Sequence, residues 1–193
     1  MTTTNMPPGT NTEAQHFRSI PWCIPILTDP DFAIQPTVTR HLQPHTTENH
    51  LLSLTLNTTS TISAWCSLYR KPSTSARNAK DEVRTLLALR AGLDGYGGIC
   101  HGGVTATIFD EVMSLLVAVC RESTGLRPDN VTADLRVRYL RPVLTPSVVL
   151  CSAKVREVKG ERKYFVDGEF VDENGVVLAR GEGLFVHKPV ENL

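Results

Sequence analysis

Residues His101 to Glu111 read His-Gly-Gly-Val-Thr-Ala-Thr-Ile-Phe-Asp-Glu, a His-Gly-Gly lead-in to an apolar run that carries two adjacent carboxylates. Gly97, Gly98, Gly102 and Gly103 make the lead-in pliable, and Val104 to Cys120 reads as one helix. The first N–H groups of a helix have no partner inside it and sit at the positive end of its dipole, so this start can hold an oxygen that bears negative charge. Gly103, Thr107, Asp110 and Ser114 follow at spacings of four, three and four, which puts them on one polar stripe.

The rest of the helix is apolar nearly all round: Val104, Ile108, Val112, Leu115 and Val119 form a second stripe, and Phe109, Met113, Leu116 and Cys120 a third. Such a helix belongs inside a protein. A membrane span is not expected, because Asp110 and Glu111 interrupt a run that would need about 20 apolar residues. A buried carboxylate costs several kcal/mol unless it is paired, hydrogen-bonded or turned toward a wet cavity. Asp110 has Thr107 and Ser114 as polar neighbours, whereas Glu111 looks along the apolar stripe, so Asp110 is the better candidate for chemistry. The alternative is a structural acid bonded to distant backbone or an arginine. Cys100 beside His101 could be read as a thiol nucleophile, but neighbours in sequence need not face each other and a free cysteine is usually a small buried hydrophobe. His41, His45 and His50 lie among Pro44, Thr46 and Thr47 in an expected loop, without the tight spacing a metal site prefers, so no metal and no cofactor is expected.

The chain of 193 residues can fill one core, and its 20 Lys plus Arg balance 20 Asp plus Glu, which argues against nucleic acid as a partner. Five scattered cysteines without a C-x-x-C pair fit a reducing compartment. Residues 1–15, rich in Thr, Asn, Pro and Gly, are expected to be a disordered tail with no apolar segment of a signal peptide. A cytoplasmic location is therefore expected, with a mitochondrial one left open. Residues 16–49 read as an arm that packs on the core through Phe17, Ile20, Trp22, Ile24 and Ile26.

The core, residues 50–188, should begin with strands at Leu51–Leu56 and Ile62–Tyr69 joined by a turn at Thr58–Ser60. Lys71–Ala79 is expected as an exposed loop, and Val83–Leu89 as a third strand or a short helix. Beyond the long helix the period changes to two: Val131, Ala133, Leu135, Val137 and Tyr139 share one face, and Thr132, Asp134, Arg136 and Arg138 the other. Val148–Val158, Lys163–Val171 and Val176–Val186 should pair as an antiparallel meander across the turns Lys159-Gly160 and Glu173-Asn174-Gly175. One buried helix with six or seven mostly antiparallel strands is an α+β domain, a sheet wrapped around a helix. Its open edges favour a symmetric dimer.

Three blocks resemble the PaaI-like hotdog-fold acyl thioesterases, including their eukaryotic long-chain members: Gly98 to Glu111, then Thr132-Ala-Asp-Leu-Arg-Val-Arg-Tyr-Leu-Arg-Pro142, then Ala179-Arg-Gly-Glu-Gly-Leu-Phe-Val186. The likeness runs over residues 50–187. It implies a hotdog fold, a homodimer or tetramer, and acyl thioesters of coenzyme A or acyl carrier protein as substrates, without a cofactor. By position it implies Asp110 as the catalytic acid, the Gly102 and Gly103 backbone as oxyanion donor with His101 beside it, and Thr132 as the hydroxyl that helps hold the attacking water. Thr107, Ser114 and Glu111 flank Asp110 on the substrate side. Arg141 and Pro142 match a segment near the coenzyme A channel, or else simply end a strand.

The chemistry this implies is hydrolysis of an acyl thioester to a carboxylic acid and a thiol, with Asp110 as general base or nucleophile. Two alternatives stand beside it: release of a polyketide or fatty acyl chain from a carrier protein, and an acyl-thioester-binding or synthase-partner protein without turnover. Asp110 lies seven residues past Gly103, roughly 10 Å along a helix at about 1.5 Å per residue, too far for both to reach one carbonyl carbon. A site shared across a two-fold axis would bring them together. Two departures from the family pattern stand out: Gly95 replaces an amide that some relatives carry six residues before the histidine, and Asp134 and Arg136 replace uncharged polar residues.

Overall fold

The computed structural model describes residues 14–71 and 80–187. Seven strands form one antiparallel sheet in the order β1-β2-β3-β7-β8-β9-β6: β1 Phe32–Gln35, β2 Ile62–Arg70, β3 Glu82–Leu89, β6 Val131–Tyr139, β7 Ser147–Lys159, β8 Lys163–Val171 and β9 Val177–Val186. A small second ladder pairs β4 Asp94–Tyr96 with β5 Ile99–Cys100. The central helix Gly102–Ser123 lies on one face of the large sheet. This is the hotdog arrangement, an antiparallel sheet with one long helix against it. The expected meander is present, β7 to β8 to β9 across short turns.

The central helix buries one side, with Ile108, Phe109, Val112, Met113, Leu116 and Val117 at 1% exposure or less. That composition would suffice to cross a bilayer, but this side is spent on the sheet, as in a core helix. The expectation of burial all round is corrected: Val104, Ala106, Leu115, Ala118 and Val119 are only half-buried. Strand β6 is also thinly covered. It is the outer strand next to β9, and Val131, Tyr139 and the following Leu140 are 38%, 54% and 49% exposed.

The expected strand at Leu51–Leu56 is instead a π-type helical turn, Leu51–Thr55. Its cause lies in Arg40, whose buried guanidinium donates to the carbonyls of Leu52 at 3.3 Å, Leu56 at 2.9 Å and Ile62 at 2.9 Å. Carbonyls gathered by one cation are withdrawn from a ladder, and Asn57 closes the turn by donating to Ser53 O and Arg40 O. The segment 16–49 supplies the edge strand β1, which pairs with β2. Phe17 and Cys23 are fully buried on the outer sheet face with Phe32, Ala64, Cys66, Leu68 and Leu86. Full burial of a side chain such as Phe17 contributes about 1.5–3 kcal/mol, enough to hold the arm down. Of the expected tail 1–15, residues 1–13 lie outside the described residues, and Ala14 is buried. Of the expected loop 71–79, residues 72–79 also lie outside them.

Candidate active site

His101 precedes the central helix and caps it: its Nδ1 accepts the Gly103 N–H at 2.9 Å. A Cβ on residue 103 would come within 3.0 Å of that ring nitrogen, so the second glycine is what lets the imidazole sit so close. The neutral ring therefore carries its proton on Nε2. The N–H groups of Val104 and Thr105 both donate to His101 O. Of the four first-turn donors only Gly102 N–H has no protein partner among the described residues. The resemblance implied both glycines as oxyanion donors; the structure leaves Gly102 with that capacity and gives the Gly103 N–H to the cap.

Asp110 is half-buried on the same helix, and its Oδ1 accepts from Thr132 Oγ1 at 2.6 Å. Strict alternation along β6 would turn Thr132 away from Leu135, Val137 and Tyr139. It does not, because the ladder slips by one residue: Thr132 pairs with Phe185 and Asp134 with Leu184, leaving Ala133 as an extra residue in a bulge. Phe185 is fully buried, so Thr132 opposite it shares the helix side of the sheet. Leu135 and Val137 pack on the core beneath the helix, and Tyr139 Oη donates to Gly102 O at 2.7 Å. The bulge thus brings one strand's hydroxyl to the carboxylate and its phenol to the helix start.

A cleft of about 600 Å³ opens at that start, lined by His101, Gly102, Tyr139, Arg141 and Pro142 with Gly95 and Tyr96 opposite. Arg141 donates to Val177 O at 3.0 Å, which ties the end of β6 to β9. Neither Asp110 nor Thr132 lines this cleft. Within one chain the candidate residues fall into two groups, His101, Gly102, Arg141 and Pro142 in the cleft, and Asp110 with Thr132 roughly 12 Å further along the helix at about 1.5 Å per residue. Gly95, at the place of the relatives' amide, packs against His101: a Cβ there would lie 3.1 Å from both the Cα and the Cδ2 of His101. The imidazole fills the room that a side chain at 95 would need.

Thr107 donates to Gly103 O of its own helix at 2.9 Å, and Ser114 donates to Asn130 Oδ1 at 3.0 Å. Glu111 is pushed above the ordinary carboxylate range chiefly by burial; a hydrogen bond from the Thr39 hydroxyl opposes the shift, and the charge of Asp110 adds to it. Cys100 is buried and its thiol is pushed up by desolvation, which removes it as a nucleophile. His41, His45 and His50 gather no metal cluster among the described residues. Tyr139, Thr39 and Asn130 went unrecognised in the sequence. Only Tyr139 left a trace, as the aromatic end of the apolar face of β6.

Residues 97–179 match the model of the thioesterase superfamily. Verlamelin biosynthesis protein B of Lecanicillium sp is 29% identical over 54% of this chain and 57% of its own length. Acyl-coenzyme A thioesterase THEM4 of Mus musculus is 35% identical over 45% of this chain and 35% of its own length. The chain thus spans little more than half, or about a third, of these curated relatives. Among solved structures, a protein of Mycobacterium tuberculosis described as a candidate esterase superposes with a TM-score of 0.51 at 22% identity, covering 57% of this chain and 86% of that one. AziG of S. sahachiroi superposes with a TM-score of 0.50 at 22% identity, covering 57% and 86%. At that identity the likeness concerns the fold.

Proposed function

We propose that the protein hydrolyses an acyl thioester, with coenzyme A as the thiol, to a free carboxylic acid. The observation that carries this reading is the Asp110–Thr132 pair: a half-buried carboxylate on the core helix, one oxygen held at 2.6 Å by a hydroxyl, the other without a protein hydrogen bond among the described residues. Thr132 fixes the carboxylate, and the remaining oxygen takes a proton from water as the water attacks the carbonyl carbon. The carbonyl oxygen becomes an oxyanion that Gly102 N–H stabilises, with the helix dipole behind it. Collapse of the tetrahedral intermediate breaks the C–S bond, and the thiolate leaves with a proton returned by Asp110. In the nucleophilic variant Asp110 attacks the carbonyl itself, the C–S bond breaks as the thiolate leaves and takes a proton from water, and a second water cleaves the mixed anhydride to the carboxylic acid and free Asp110.

Carboxylate and oxyanion donor lie about 12 Å apart along one helix, so we propose a homodimer in which Asp110 of one subunit faces the His101–Gly102 turn of the other. The unpaired outer side of β6 and the half-covered face of the central helix support this pairing, since both are surfaces that a second copy would close. A cytoplasmic location is proposed as well, supported by five scattered, buried cysteines.

The test is thiol release from a panel of acyl-coenzyme A and acyl-carrier-protein substrates by wild type and Asp110→Asn. Loss of the base should lower turnover by about 10²–10⁴-fold. Carrier proteins belong in the panel because one relative is named for biosynthesis rather than for coenzyme A. Turnover confined to them would move the assignment to chain release in lipid or polyketide metabolism. The place of Gly95 against His101 favours a second reading, binding without turnover, because it leaves the oxyanion one donor short of the relatives that carry the amide. Tight binding with no hydrolysis by wild type would establish it.

A further inference from the structure

Strand β6 ends the large sheet: β9 pairs with one of its sides, and no strand among the described residues pairs with the other. A strand of nine residues with an open edge is a template for a further strand. The bulge at Ala133 turns Thr132, Leu135, Val137 and Tyr139 toward the helix, so Asp134, Arg136 and Arg138 stand on the outer side, all exposed.

Two of these charges lack a counterpart. Across the ladder to β9, Arg138 lies opposite Arg180, Arg136 opposite Glu182 and Asp134 opposite Leu184. Arg180 is already paired with Glu169 at 2.8 Å. Arg138 thus has a like charge beside it on β9 and Asp134 an apolar neighbour, and neither makes an ion pair among the described residues. They have opposite sign and share a face of one strand, so antiparallel pairing with a second copy about a two-fold axis can bring them together twice.

Two symmetric registers set Asp134 against an arginine. If the axis passes at Leu135, Asp134 meets the partner's Arg136, and Arg138 gains no acid. If it passes at Arg136, Asp134 meets the partner's Arg138 and Arg138 the partner's Asp134. The two Arg136 side chains then adjoin at the axis, each with Glu182 of its own β9 opposite. The bulge decides what else is aligned. One step along β9, from Leu184 to Phe185, spans Asp134 to Thr132. One step past the partner's Arg138 is the partner's Tyr139, which therefore falls opposite Thr132.

That alignment joins the halves of the site. Thr132 holds Asp110 at 2.6 Å, and Tyr139 holds Gly102 O at 2.7 Å. Residues directly opposite in an antiparallel pair have Cα atoms about 4.5–5.5 Å apart and point to the same face. With the axis at Leu135, Thr132 would instead oppose the partner's Val137, two residues or about 7 Å out of line.

We propose that Asp134 and Arg138 are positioning residues that set the register of a dimer seam: β6 pairs antiparallel with β6 of a second copy about Arg136, which carries Asp110 to the partner's Gly102. The proposal deepens the homodimer described above and rests on the thioesterase reading only for what the seam aligns.

The register is read by cysteine cross-linking of the full chain under mild oxidant, on non-reducing gels. Arg136→Cys should give a covalent dimer, since Cα atoms about 4.4–6.8 Å apart suit a disulfide. Asp134→Cys and Arg138→Cys should each stay uncross-linked alone and cross-link when mixed, whereas Leu135→Cys should not. The charges are tested by sedimentation. Asp134→Arg and Arg138→Asp each set like charges against one another at both ends of the seam, and each should raise the dimer dissociation constant about tenfold or more. Co-expressed, the two variants restore both pairs, and dimer mass and thiol release should return together.

A monomeric wild type, a cross-link at Leu135→Cys in place of Arg136→Cys, dissociation constants within about twofold of wild type, or a mixture that stays dissociated each overturns the proposal. If the cross-links and the rescued mass appear but no acyl thioester is cleaved, the seam stands and the hydrolase reading falls. If thioesters are cleaved by a dimer in which Arg136→Cys does not cross-link, the seam falls and the hydrolase reading stands.

Discussion

Thr132→Val removes a hydroxyl and keeps the side chain's volume, which isolates one hydrogen bond. At 2.6 Å the Thr132–Asp110 contact lies in the range of a charge-assisted O–H···O⁻ bond. Bonds to charged groups contribute about 1.5–3 kcal/mol net, and because both side chains are partly open to solvent the lower end applies here, about 1.5 kcal/mol. If the bond is at full strength only when the carboxylate is aimed at the attacking water, that loss appears as about a 10- to 15-fold drop in kcat, at 1.36 kcal/mol per tenfold. KM should change far less, as for a group that acts in the transition state. Thr132→Ser should recover most of the rate. The assay is continuous thiol release at saturating acyl-coenzyme A, with thermal unfolding of each variant as the control. A kcat within about twofold of wild type, or a change confined to KM, would refute the role and leave Thr132 as part of the bulge alone.

Glu111→Gln tests the raised carboxyl directly. With its native pKa above the ordinary 4.5, Glu111 contributes a stability term that is whole below that value and is lost as pH rises through the native one, so the variant should gain on wild type between acid and neutral pH. Each kcal/mol relieved shows as roughly 2–4 °C in Tm, and a difference that shrinks with rising pH would contradict the burial argument. Iodoacetamide at neutral pH should leave activity within about twofold of the untreated protein, because the cysteines are buried and burial pushes the Cys100 thiol up. Size-exclusion chromatography with light scattering at micromolar protein should give at least twice the mass of one chain. An active monomer would remove the shared site.

The long helix and the meander were legible in the sequence because period and turn chemistry agree there: a 3.6-residue pattern through Val104–Cys120, a two-residue pattern through Val148–Val186, and turn residues between the strands. Asp110 was legible for the same reason, as an acid with polar neighbours in an apolar helix. Leu51–Leu56 was not, since a short alternating run suits a strand or a turn equally and the choice rests with Arg40, a residue eleven positions away. Nor was the division of labour between Gly102 and Gly103, which depends on which way the His101 ring folds. Thr132 is the instructive case. Its pattern put it on the far face of β6, its resemblance put it at the carboxylate, and only the slip in pairing at Ala133 reconciles the two.

That slip means β6 holds one residue more than its partner β9 requires. Deleting Ala133 should straighten the strand while leaving Thr132 opposite Phe185 and Leu135 opposite Gly183, because the surplus position is the one removed. A deletion within two residues of a proposed catalytic group would then be among the milder lesions in this protein, whereas flattening the ladder at full length would turn the hydroxyl outward. Length, rather than side-chain identity, is what this stretch of the chain can afford to vary.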